Sequence, residues 1–231
     1  MKPGAARYRG PGARGSDAVP ELELVSVHVP KTGGTSFWEA VSRHYGEALV
    51  EDNDHIPGTT ADLSEPPVLP EFAKAVHGHF RADRYADFVN AFHITFLREP
   101  NEQFISNYFF WLTYPPHGNA LHDRLLAERP DIVTYARNYT GSILAGFFEG
   151  VDVNLFDYVG FGDRRLQDYR VLSRMLGFHI DARIHSNRTE LPAELEAQRK
   201  DVTTNPRILA ELKDALREDY RYYDLFRSRW T

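Results

Sequence analysis

The sequence predicts an α/β fold in three layers, with a mostly parallel central sheet flanked by helices. Three observations predict it. Apolar, β-branched runs at 22–29, 75–80 and 91–98 have the composition of strands buried on both faces. Stretches with apolar residues at helical spacing separate them, the alternation expected of parallel strands with crossover helices. Residues that can carry chemistry stand just after these runs, at the strand ends where open parallel sheets collect their ligands.

Each element has its own signal. Residues 1–20 are rich in Gly, Pro, Ala and Arg without apolar periodicity, the composition of a disordered tail. Residues 21–231 then form one domain. The run 22–29 is the first strand, and a helix follows over 35–45. Residues 51–70 carry Asp, Asn, Gly and several prolines and read as a long surface loop. The run 75–80 ends a second strand, with a helix expected over 83–89. The run 91–98 is a third strand. Pro100 suits the first turn of the next helix, which extends to about 114. Residues 119–149 read as two or three helical pieces broken near Pro130, and 158–161 as a short strand. The amphipathic segment 165–176 stops at Gly177, a suitable helix C-cap. Apolar spacing over 206–226 predicts one closing helix.

Bulk composition removes several function classes. The chain has 231 residues, no cysteine and a formal charge of −6. Thiolate chemistry, thiolate metal ligation and disulfides are therefore out. No global basic field draws in nucleic acid or another polyanion. No apolar run approaches the roughly 20 residues of a membrane span, and no apolar signal core stands near the start. A cytoplasmic location is expected; the oligomeric state is not legible.

The stretch from Leu24 to Trp38 is the most informative. It runs from strand through Pro30-Lys31-Thr32-Gly33-Gly34-Thr35-Ser36 into a helix. The first N–H groups of a helix lack intrahelical partners, and the helix dipole places partial positive charge there. Gly33 and Gly34 allow close backbone approach. Lys31 adds a charge, and Thr32, Thr35 and Ser36 add hydroxyls. This is a phosphate-binding turn. It is not the G-x-x-x-x-G-K-[ST] loop, because the lysine precedes the glycines.

Arg98 stands at the end of the third strand, with Ser106 eight residues on in the following helix. A guanidinium fork suits phosphate oxygens; the plain reading is an ion pair with Glu99 or Glu102. His77-Gly78-His79 places two imidazoles on one side of a strand end. Either can accept a proton from an alcohol near neutral pH. Such a pair can also chelate zinc, yet no clear third and fourth ligands accompany it. His28 and His93 read as hydrogen-bonded core residues. Tyr108, Phe109, Phe110, Trp111 and Tyr114 read mostly as helix packing, with room for one or two to line a sugar or phenol pocket.

The string Pro-Lys-Thr-Gly-Gly-Thr-Ser resembles the 5'-phosphosulfate loop of sulfotransferases that use 3'-phosphoadenosine 5'-phosphosulfate (PAPS), and looks most like the carbohydrate branch with the heparan sulfate 2-O-sulfotransferases. Arg98 and Ser106 resemble that family's 3'-phosphate segment, and His77-Gly78-His79 its His-Gly-His. Weaker likenesses fall at 138–146, 158–163, 187–189 and 219–226. The resemblance implies a P-loop-like fold and sulfuryl transfer from PAPS, with 3'-phosphoadenosine 5'-phosphate (PAP) as product and no metal. It implies His79 as base, His77 as its helper, and Lys31 at the bridging oxygen. Thr32, Gly33, Gly34, Thr35 and Ser36 would hold the 5'-phosphosulfate, Arg98 and Ser106 the 3'-phosphate, and Arg188 another part of the nucleotide. The acceptor would be a hydroxyl of a carbohydrate, a glycosylated metabolite or a small metabolite. A nucleotide kinase or hydrolase and a non-catalytic PAP-binding protein are the competing classes.

Overall fold

A computed structural model describes residues 20–53, 68–116, 118–138, 140–181 and 190–230. Its centre is a five-stranded sheet. The strands are β1 (Leu24–Val27), β2 (Leu49–Asp52), β3 (Ala75–Gly78), β4 (Phe92–Leu97) and β5 (Tyr158–Phe161), in the order β2-β3-β1-β4-β5. Every pairing is parallel. The helices are α1 (Thr35–Tyr45), α2 (Pro100–Thr113), α3 (Ala120–Glu128), α4 (Ile132–Asn138), α5 (Ile143–Phe148), α6 (Arg165–Leu176), α7 (Ala193–Thr204), α8 (Pro206–Ala215) and α9 (Arg217–Trp230).

Alternate side chains of β1 feed two cores, which produces the three layers. Val25 and Val27 pack on one face with Phe147 and Phe148 of α5 and Phe226 of α9. Leu24 packs on the other with Phe37 and Val41 of α1 and Tyr169 and Leu172 of α6. All four residues of β1 are buried, so the central strand is covered on both faces rather than alternating, with Ser26 its one polar residue. A third core holds the outlying helices together, with Phe104 and Leu112 of α2 against Leu125, Tyr135, Val202 and Leu212. Burial of each large apolar side chain is worth about 1.5–3 kcal/mol.

The edge of the sheet has a strict steric requirement. A Cβ on Gly78 would stand 1.7 Å from the Asp52 carbonyl oxygen. Only glycine lets β3 close against β2 at that register, where Asp52 pairs with Gly78.

The predicted strands at 22–29, 75–80, 91–98 and 158–161 are present, as are the helices at 35–45 and 165–176. Gly177 ends α6 with φ of 76°. The expected helix at 83–89 is a 3-10 turn at Ala82–Tyr85. The expected single helix over 206–226 is two, α8 and α9, separated at Leu216. Neither β2 nor α7 was signalled. β2 is an edge strand with two acids, and α7 buries only Val202, so neither has an apolar pattern to read. The tail 1–19 and most of the loop at 51–70 lie outside the described residues.

The last helix ties the fold to the cleft described below. The Asp219 carboxylate accepts from the backbone N–H of Leu144 at 2.7 Å and from the Ser142 hydroxyl at 3.0 Å, capping the start of α5. Tyr220 donates its hydroxyl to Glu99, the N-cap of α2. Burial pushes the Asp219 carboxyl up to about 6. With the folded value above the unfolded one, this group's contribution is full below about pH 4 and is lost as pH rises through 6. Asp219→Asn should therefore lose less stability than the wild type between pH 4 and pH 7, read from urea midpoints. Asp219→Ala, which strips the cap, should cost about 1–3 kcal/mol.

Candidate functional site

The carboxyl ends of all five parallel strands share one edge, and a cleft of about 1780 Å³ opens beside it. His28 follows β1, His79 follows β3, and Arg98 follows β4; all three line the cleft.

The turn after β1 is pinned from three sides. Thr32 donates its hydroxyl to the Val29 carbonyl at 2.8 Å. Gln103 donates to the Pro30 carbonyl at 2.9 Å. Tyr169 of α6 donates to the Gly33 carbonyl at 2.9 Å. Lys31 and Gly33 take positive φ values of 63° and 93°. For glycine this is unstrained; for lysine it is an uncommon conformation held by the surrounding bonds. The helix that follows starts at Gly34 without a side-chain cap, unlike α2, α3, α5 and α8. Its opening turn, with Thr35 and Ser36, lines the cleft. A turn that presents backbone N–H groups and a lysine to a concave surface is built for an anion.

Lys31 stands over the Phe110 ring, with Nζ 4.1 Å from the centroid. Burial, and then the nearby Arg98, hold its pKa below the ordinary 10.5. An anion placed between two such cations would offset the repulsion that lowers this pKa. Arg98 pairs with Glu102 at 3.0 Å, the plain ion pair foreseen for it. Both partners are part-exposed, and such a pair is worth less than about 1 kcal/mol. A phosphate within reach competes with it readily. Ser106 stands on the cleft wall, two turns into α2.

The histidines form a column. His28 and His79 stack with ring centroids 4.6 Å apart, and His77 lies 5.1 Å from His28. His79 Nδ1 lies 2.6 Å from the His28 carbonyl oxygen. A carbonyl only accepts, so this nitrogen carries the proton and Nε2 keeps a lone pair. Burial lowers the His79 pKa, partly offset by that hydrogen bond. His77 is different. It is 4 % exposed, shares a 2.8 Å hydrogen bond between Nδ1 and the Ser26 hydroxyl, and does not line the cleft. Burial, and then His79, push it down to about 3, so it stays uncharged.

The structure thus gathers Lys31, Gly33, Gly34, Thr35, Ser36, His79, Arg98 and Ser106 around one cleft. Thr32 and His77 sit behind it, and Arg188 lies outside the described residues. His28 and Arg165 are among the cleft residues that the sequence does not signal. His28 was expected in the core but stands half-buried on the wall. Arg165, at the start of α6, runs alongside the turn: a Cβ on Gly33 would lie 3.5 Å from its Cδ and Nη1. Both follow strand ends, the place to look in a parallel sheet. Among the described residues, no group of three or more His, Asp or Glu could hold a metal ion.

No protein-family model matches the sequence, and no curated protein does so. Among solved structures, the chain is similar to mouse sulfotransferase SULT7A1 complexed with PAP. The TM-score is 0.48 at 13% identity, over 91% of this chain and 89% of that one. It is also similar to a sulfotransferase from Alicyclobacillus acidocaldarius, with a TM-score of 0.39 at 14% identity, over 87% and 97% of the two chains. At these scores and identities, neither likeness assigns an activity to this chain.

Proposed function

We propose that this protein is a sulfotransferase that moves a sulfuryl group from PAPS to a hydroxyl of an acceptor, a carbohydrate or a hydroxylated metabolite, by in-line transfer with a histidine base. One observation carries the reading. Two separate sets of anion-binding groups, the Lys31–Ser36 turn and the Arg98–Ser106 pair, open onto the same cleft as an imidazole with a free Nε2. A donor with phosphate at both ends of its ribose needs two such sets, and an alcohol acceptor needs the base.

The donor would supply a sulfuryl group with a good leaving phosphate. Transfer of this kind passes through a loose transition state, so the protein contributes positioning and charge stabilisation. Gly33, Gly34, Thr35 and Ser36 hold the 5' end against the start of α1. Lys31 neutralises the charge that grows on the leaving oxygen, and Arg165 adds a cation beside Gly33. Arg98 and Ser106 hold the 3'-phosphate. His79 takes the acceptor proton at Nε2 while its Nδ1–H stays bonded to the His28 carbonyl. Because burial keeps the His79 pKa below 6.5, the base is uncharged at neutral pH.

Calorimetric titration with PAP should give micromolar binding, weakened at least tenfold in Arg98→Ala. Binding of ATP with magnesium in preference to PAP would refute the reading and favour a nucleotide kinase or hydrolase. Gly34→Ala should weaken PAP as well, because its Cβ would stand 2.5 Å from His28 Nε2. Once an acceptor is in hand, His79→Ala should lower kcat by about 10²–10⁴ with PAP affinity nearly unchanged. The acid limb of kcat/KM should have its midpoint below the ordinary histidine value of 6.5 and vanish in that variant.

A further inference from the structure

The mechanism above uses the carbonyl of His28 and leaves its imidazole without a task, yet that ring has the most constrained setting in the cleft. Its backbone N–H donates to the Gly78 carbonyl at 2.7 Å, which fixes the residue against the end of β3. One side of the ring stacks on His79, 4.6 Å between centroids and 24° between planes. Another side meets the donor turn so closely that any Cβ on Gly34 would be 2.5 Å from Nε2 and 2.7 Å from Cδ2. Beyond it lies His77, held by Ser26. The ring therefore fills the space between the base and the anion-binding turn.

We propose that His28 is the positioning residue for the base: its carbonyl selects the Nδ1–H tautomer of His79, and its ring is wedged between His79 and the turn at Gly34. The inference rests on the sulfuryl-transfer reading only for what His79 does; the wedge itself is a property of the fold. Sterically, the ring fixes one rotamer of His79 and keeps water from that face. Electrostatically, it adds no charge, since burial, and then His77 and His79, hold its own pKa well below 6.5. Among the described residues, His28 stacks on His79 and His77 lies beside His28, and both are held toward the neutral form. A base flanked in this way keeps its lone pair aimed in one direction. The same contact links the base to the donor turn, so a shift of Gly34 is felt at His79.

Histidine ring signals in long-range ¹H–¹⁵N spectra test this without an acceptor, with His79 assigned by its loss in His79→Gln. The wild type should show His79 as a single Nδ1–H tautomer that titrates below 6.5. His28→Ala retains the carbonyl but removes the ring. With no ring to hold one rotamer, His79 should leave the carbonyl part of the time, giving a tautomer mixture, and its titration midpoint should move up by about half a unit or more as water reaches the imidazole. His28→Phe, which restores a flat ring of similar size, should return both to the wild-type pattern. PAP affinity, measured separately, should change less than about threefold in His28→Phe. An unchanged His79 signal in His28→Ala overturns the proposal. So does a His28→Phe variant as disturbed as His28→Ala, which would mean that the imidazole nitrogens matter rather than the ring's shape. If His28→Ala does not fold, Gly34→Ala decides: it keeps His28 but displaces its ring, and an undisturbed His79 signal there also overturns the wedge. Failure of the wild type to bind PAP would sink the transfer reading alone, because the His79 spectra report the wedge independently.

Discussion

The parallel pairing of β1 with β3 on one side and β4 on the other sets the position of the cleft groups that follow these strands. The register aligns Val27 with Gly78 and with Thr95, so the residues that leave these three strands emerge side by side. His28 continues β1, His79 continues β3, and Arg98 follows β4 a short step later. A slip of one residue in either pairing would turn an outgoing side chain to the other face. The register is held partly by backbone bonds and partly by polar side chains inside the sheet. Ser26 and His77 bond across β1 and β3 at 2.8 Å. Thr95 donates to the Val27 carbonyl at 2.9 Å. These buried polar pairs are satisfied only at one register, so they specify alignment as well as adding stability.

Helices bring the remaining groups to that edge, and their starting turns are held in place from a distance. The hydroxyl of Tyr220 on α9 reaches Glu99 at the head of α2, and the neighbouring Asp219 caps the head of α5. Consecutive residues of one helix thus anchor two helix starts at the cleft. Gln103, one turn into α2, reaches back to the Pro30 carbonyl in the turn after β1. Donor turn, α2 and α9 are in this way one connected hydrogen-bonded assembly. The cleft's shape depends on the C-terminal helix, although α9 supplies none of the groups assigned to the chemistry.

Much of this was legible in the sequence, for identifiable reasons. Buried parallel strands must be apolar on both faces, so Leu24–Val27 and Phe92–Leu97 stand out by composition. Glycine and proline mark the helix boundaries at Pro100 and Gly177. The turn between β1 and α1 is legible because a lysine, two glycines and two hydroxyls follow an apolar run in close order. What escaped has no local signature. β2 is half-exposed and acidic, α7 is polar nearly all round, and no breaker marks the junction of α8 and α9. His28 was misjudged because a histidine next to an apolar strand looks like core until strand order is known. Only the β3-β1 neighbourhood shows that it meets His79. Arg165 escaped for the same reason, since its approach to Gly33 depends on how α6 crosses the sheet. Thr32 was over-read: a hydroxyl in an anion turn suggests a ligand, but the turn spends this one on the Val29 carbonyl.

The electrostatics of the cleft follow from these placements. Lys31, Arg98, Arg165, Arg199 and Lys200 line the cleft together with Glu99, Glu102 and Glu196, and Glu102 partly offsets Arg98. The cost shows at Lys31, whose pKa is lowered by burial and by Arg98 and whose backbone sits at positive φ. An anion bound between these cations would remove their mutual repulsion and stabilise the charged lysine. The histidine side of the same cleft is arranged the opposite way. His28, His77 and His79 are all shifted toward the neutral form by burial, and His28 and His77 further by their histidine neighbours. A cationic column there would add a second positive centre and occupy the lone pair on His79. Under the proposed transfer, keeping it neutral would separate two tasks: charge beside the leaving group, and proton affinity beside the alcohol. The ring of His28 stands at the boundary of the two sides, against Gly34 of the turn and stacked on His79.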